Sequence, residues 1–159
     1  MKTNYSILKL MLSASIVFVF SLIGIAKNSD ESNDVLKAYL NVKDALVKTD
    51  VKSASEAAKN LVTVIGNSSN DLMEKIAENA KQIESSVDVE AQRSYFNDLS
   101  ENVYQLIKGS SGLNEPVYRQ FCPMAFNHKG AYWLSADKEV NNPYFGNKML
   151  HCGTIKEEL

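Results

Sequence analysis

Residues 89–106 read VEAQRSYFNDLSENVYQL, and within them Val89, Gln92, Phe96, Leu99, Val103 and Leu106 recur at alternating steps of three and four. That spacing puts all six on one face of an α-helix. Asp88 stands where an N-cap side chain accepts from the first turn, and Gly109 stands where the helix stops. The stripe is too narrow to be buried alone, so this helix needs partners.

Three such partners lie upstream. Val35, Tyr39, Val42 and Leu46 form one apolar face, and Thr49-Asp50 interrupts it. Ala54, Ala57, Ala58, Leu61, Val64 and Ile65 form a second, whose alanines admit a close neighbour. Asp50 can cap this helix and Gly66 can end it. Leu72, Ile76, Ala80 and Ile83 mark a third helix, after the turn residues 67–70 (NSSN) and before the break at Ser85-Ser86. Four amphipathic helices with short connections predict an all-α fold, an up-and-down antiparallel four-helix bundle. The stripes are read as core, and no function is assigned to them.

The ends of the chain differ from this core. Lys2 and Lys9 precede an uncharged apolar run from Leu10 to Ala26, closed by Gly24-Ile25-Ala26. That pattern is a secretory signal peptide, residues 1–26, with cleavage after Ala26 and a periplasmic or secreted destination. No cysteine follows the run, which argues against a lipid anchor, and no membrane association is expected after cleavage. Residues 27–33 (KNSDESN) read as a flexible leader, and residues 34–159 as a single helical domain. The whole chain carries a net charge of −2, and cleavage removes two lysines more. An acidic domain without a basic patch does not suit nucleic acid.

Composition changes at Pro116. From there on lie all three prolines, both histidines, both cysteines and the single tryptophan, with seven aromatics between Tyr118 and Phe145. Val117–Phe121 fits a short strand, and the remainder of the module, residues 116–153, reads as ordered loops. So aromatic a segment is expected to dock on the bundle and bury Trp133, Tyr144 and Phe145. The expected architecture is therefore the bundle with an irregular aromatic- and Cys-rich C-terminal module packed on it.

The chemistry concentrates in Cys122-Pro123-Met124 and Met149-Leu150-His151-Cys152. Thiolate and thioether are soft donors that suit Cu(I). The candidate metal ligands are Cys122, Met124, Met149, His151 and Cys152, with His128 in a surface turn as a further candidate. In an exported chain the same two cysteines can form a disulfide, worth roughly 3.7 kcal/mol in the chain-entropy model. Both readings require Cys122 and Cys152 to come close in space. Zinc suits this spacing poorly, because adjacent residues rarely share one tetrahedral ion. With no Gly-rich phosphate loop, no CxxC and no third group to orient a Cys–His pair, no enzyme activity is expected.

Several segments resemble a known family: residues 39–47 (YLNVKDALV), Gln92-Arg93 with Phe96 and Leu99-Ser100, then CPMAF (122–126), GAYWLS (130–135), NPYFG (142–146), Met149-Leu150 and Cys152-Gly153. They are similar to the exported domain-of-unknown-function family number 3347, over nearly all the chain beyond residue 26. Its members occur alone after a signal peptide or fused to periplasmic adaptor subunits of heavy-metal efflux pumps. The resemblance implies metal handling, with copper as the ion and an efflux adaptor or another envelope protein as the partner. Cys122-Pro123-Met124 also looks like the opening of small heavy-metal-binding domains, but the His-Pro step and second Cys-rich half of those domains are missing. Two functions compete: Cu(I) or heavy-metal binding and delivery, and a disulfide-stapled, metal-free interaction module docking on an envelope efflux component.

Overall fold

The computed structural model describes residues 31–110 and 112–159. The expected signal peptide and residues 27–30 of the expected leader lie outside the described residues. Four long helices are present: α1 (residues 31–47), α2 (Val51–Ile65), α3 (Asp71–Ser85) and α4 (Val89–Lys108). The protein is mostly helical, and α3 packs against both α2 and α4.

Local chemistry sets the boundaries. Asp50 accepts from Ser53 N at 3.0 Å, Asn70 from Leu72 N at 2.9 Å, and Asp88 from Ala91 N at 2.8 Å. Each satisfies an N–H that the first helical turn leaves without a partner. Gly66 ends α2 with φ +59, in the left-handed region that glycine tolerates. Residues 31–33, assigned to the leader on their polarity, already belong to α1. Tertiary hydrogen bonds hold them: Asn33 donates to Gly112 O and accepts from Asn114 N, both at 3.1 Å.

The stripes meet in one core. Val35, Tyr39, Val42, Leu46, Ala58, Leu61, Ile76, Ile83, Phe96, Leu99 and Val103 are all fully buried. Val64, expected on the second stripe, is exposed, and burial slips by one residue at two further places. Met73 and Ile107 are buried, whereas Leu72 and Leu106 are only half-buried.

The C-terminal module is more regular than expected. It contains a three-stranded antiparallel sheet in the order β2-β1-β3, with β1 at Tyr118–Cys122, β2 at Ala131–Ser135 and β3 at Thr154–Glu158. The short strand expected at Val117–Phe121 is thus the centre of a sheet. Alternation along β1 buries Tyr118, Gln120 and Cys122. The strand β3 is mostly exposed, so no apolar stripe announced it. Trp133 and Tyr144 are buried as expected, and Phe145 is half-buried.

Two buried polar groups join sheet to helices. The Tyr39 hydroxyl lies 2.8 Å from Ser100 Oγ on α4 and accepts from Leu134 N on β2 at 3.0 Å. Burial holds this phenol above the usual tyrosine range, so it stays protonated and acts as both donor and acceptor. Arg93, 2% exposed, donates from Nε to Pro143 O at 2.9 Å, from a second nitrogen to Glu90 at 2.8 Å, and from the third to Thr49 Oγ1 at 3.1 Å. Gly146 closes on the same spot: a Cβ there would run into Thr49 Oγ1 and stand 2.9 Å from Val47 O.

Two substitutions test this account. Leu99→Ala should cost about 2–5 kcal/mol, because the side chain is fully enclosed and its removal leaves a cavity. Tyr39→Phe keeps the ring but strands Leu134 N and Ser100, and should cost about 1–3 kcal/mol. Urea denaturation of each variant reads these values, and a change below half a kilocalorie at Leu99 would show its face to be misassigned.

Candidate functional site

Cys122 ends β1, and Cys152 lies two residues ahead of β3. The β1–β3 pairing runs down to Phe121 opposite Thr154, so the antiparallel register carries both cysteines to the same end of the sheet. Their sulfurs are 3.1 Å apart, as free thiols. Cys122 is buried on the core face of β1, while Cys152 is half-exposed.

The loop that delivers Cys152 is braced by Asn142. This fully buried side chain donates to Cys152 O at 2.7 Å and accepts from Tyr144 N at 2.8 Å, while its backbone N–H bonds Leu150 O at 2.8 Å. Gly153 lets the loop pass over Trp133. A Cβ at this position would lie 2.9 Å from the indole and 3.0 Å from Phe121 O.

The neighbouring thiol changes the acidity of Cys152. The hydrogen bond to Cys122 is the first cause that raises the Cys152 pKa above the ordinary thiol range, and burial is the second. The N–H of Met124 points at the Cys152 sulfur and pulls the other way, because it favours the thiolate. Cys152 therefore holds its proton near neutrality, and a metal has to displace it.

The other expected ligands separate into two groups. His151 is exposed, with Nδ1 2.9 Å from Val140 O. A carbonyl only accepts, so Nδ1 carries the proton in the neutral ring and Nε2 keeps a lone pair. Met124 and Met149 line a cavity of about 440 Å³ together with His128, Phe126 and Tyr144. Among the described residues, no three of His, Cys, Asp and Glu converge as a metal cluster. What converges is a pair of thiols, with the two thioether residues lining a separate cavity. An ion bound by both thiolates at about 2.3 Å would hold them roughly 3.8 Å apart or more, so the pair must spread to take any metal, and tetrahedral zinc would also need two further strong donors.

Sequence reasoning placed Asn142 and Arg93 in family-like segments without giving either a role, and it missed the turn after Met124. The Asn-Pro step at 142–143 marked a turn but not the side chain's reach across ten residues to Cys152. Phe126, Asn127 and His128 all adopt left-handed backbone, with φ of 50°, 57° and 68°, ahead of Gly130 at 80°. Neither Phe126 nor His128 signals such a conformation.

Residues 35–115 match the family described as "Protein of unknown function (DUF3347)". The match covers the helices, and both cysteines lie beyond it. No curated protein and no solved structure matches the chain. No helix among the described residues is long and apolar enough to cross a membrane.

The thiol geometry has a direct test. A mild thiol oxidant should close Cys122 to Cys152 within one chain, seen as a loss of two hydrogens in the intact mass with unchanged far-UV circular dichroism. Disulfide-linked dimers, or unfolding on oxidation, would show that the two sulfurs do not face each other in solution.

Proposed function

The chain belongs to the DUF3347 family of proteins of unknown function, and from this footing we propose that it is an exported, non-enzymatic metal-handling protein that binds Cu(I) between Cys122 and Cys152. The observation that carries this reading is the 3.1 Å approach of two free thiols at one end of the sheet. Two thiolates are the soft, charged donors that a monovalent soft ion prefers. His151, beside Cys152, supplies the third donor through Nε2. Its Nδ1–H on the Val140 carbonyl is the outer hydrogen bond that usually orients a ligating imidazole. Cys152, half-exposed on its loop, is the thiolate that moves to admit the ion.

The scaffold is an up-and-down antiparallel arrangement of α1–α4, favoured by the short connections at residues 48–50, 66–70 and 86–88. Residues 1–26 address the protein to the periplasm, where the cargo ion passes to an envelope partner such as an efflux adaptor.

The same sulfur approach favours a second reading, a disulfide-stapled interaction module without metal that docks on an envelope efflux component. Oxidation of both thiols removes both charged ligands, so the two states exclude each other.

Competition against a Cu(I) chelator separates them. The reduced protein should take one Cu(I), and Cys→Ser at either position should abolish tight binding. Affinity should fall as pH falls, because protons compete for the thiolates. Equal affinities for wild type and the double Cys→Ser variant would eliminate the site and leave the stapled module.

A further inference from the structure

The cavity beside the thiol pair has walls of unusual chemistry. Two thioethers, Met124 and Met149, share it with the His128 imidazole and with the rings of Phe126, Tyr144 and Phe145. Met124 is 38% exposed, which opens one sulfur-bearing side chain to solvent. The charged residues on the wall, Glu90 and Arg93, are paired with each other at 2.8 Å. The remaining side-chain donors on the wall are the two thioethers, the His128 imidazole and the Asn127 amide.

One wall is strained. Three consecutive residues without glycine, Phe126–His128, hold left-handed backbone. For Phe126 and His128 this brings Cβ against the following carbonyl oxygen, a steric cost that Asn127 tolerates better. Strain of this kind persists where the surroundings over-determine it, and it gathers at ligand sites. Here it seats the Phe126 ring edge-on to Tyr144, with centroids 5.4 Å apart, and sets His128 on the cavity wall.

The cavity also adjoins the thiols through backbone. Met124 follows Cys122 by two residues, and Cys152 N bonds Met149 O at 3.1 Å. Each thioether residue is thus tied through the chain to one of the two thiols, while both line the cavity.

We propose that this cavity is a second, weaker site for a soft monovalent metal ion, held by Met124 and Met149 with His128, from which Cu(I) passes to Cys122 and Cys152. Thioethers are neutral and bind soft ions without proton release, so capture there is readily reversed. Aromatic faces around the ion add attraction for a cation. Transfer to two thiolates is then downhill. This relay rests on the metal reading of the cysteines, but the thioether site stands on its own donors.

The test removes the thiols first. Ag(I), as the nitrate, serves as a redox-inert soft monovalent probe of the Cys122→Ser/Cys152→Ser variant carrying 13C-labelled methionine methyls. The Met124 and Met149 methyl signals should shift together and saturate, while Met73, buried in the helical core, stays in place. Zn(II) should leave all three unmoved. Unshifted Met124 and Met149 signals, movement of only one, or equal movement of Met73 would overturn the site. In chains with both cysteines, Met124→Leu/Met149→Leu should slow Cu(I) uptake from a weak chelator and leave the final affinity close to wild type. An unchanged uptake rate would overturn the relay. Loss of tight Cu(I) binding in wild type with retained Ag(I) shifts would instead refute the dithiol reading and keep the thioether site.

Discussion

Tyr39 is fully enclosed, and its one hydroxyl serves two elements far apart in sequence, Ser100 on α4 and the main chain of Leu134 on β2. A buried hydroxyl without partners is costly, and so is a buried backbone N–H. Each is satisfied only when α1, α4 and the sheet are assembled together. The ring stacks on Phe96 at 5.2 Å, and Phe96 meets Tyr144 at 5.8 Å, which meets Trp133 at 6.0 Å. An aromatic path therefore runs from the first helix into the C-terminal module. These contacts join the helices to the tail, and the thiols inherit their position from them.

Arg93 closes the other side of that junction. Its guanidinium is buried, and its three nitrogens are spent on Pro143, Glu90 and Thr49. The planar fork reaches a loop, its own helix and the α1–α2 turn at once, which a lysine ammonium does less well. Thr49 takes the left-handed conformation at φ 57 with its hydroxyl on this guanidinium, and Gly146 is the residue that leaves room for it. The loop carrying Asn142 and Cys152 is thus anchored to the helices at its start and to β1 at its end. These anchors bring the Cys152 loop to the end of the sheet where Cys122 lies.

Helical structure was legible in the sequence because burial has the period of the helix. Val35, Tyr39, Val42 and Leu46 are all fully buried, and Asp50 and Asp88 cap the helices that follow them. The sheet was only partly legible. β1 alternates and was visible as a short strand, but β3 is exposed along most of its length, so no apolar pattern marked it. Its existence depends on main-chain pairing with β1, which any side chains permit. The polarity of residues 31–33 suggested a leader, but Asn33 is held by the loop beyond α4. Local composition cannot register such a contact, made across some eighty residues.

The sequence by itself determined the soft-donor inventory, with both cysteines and both histidines gathered beyond Pro116, and it determined four amphipathic helices able to support them. Residue type and periodicity are local properties, and the chain carries them before it folds. Only the tertiary structure decided how the donors divide: two thiols 3.1 Å apart, two thioethers in the adjoining cavity, and one imidazole turned onto Val140. That division follows from the antiparallel register of β1 with β3 and from the left-handed turn at Phe126–His128. Both are fixed by pairing and packing between distant segments, which short-range sequence spacing does not encode.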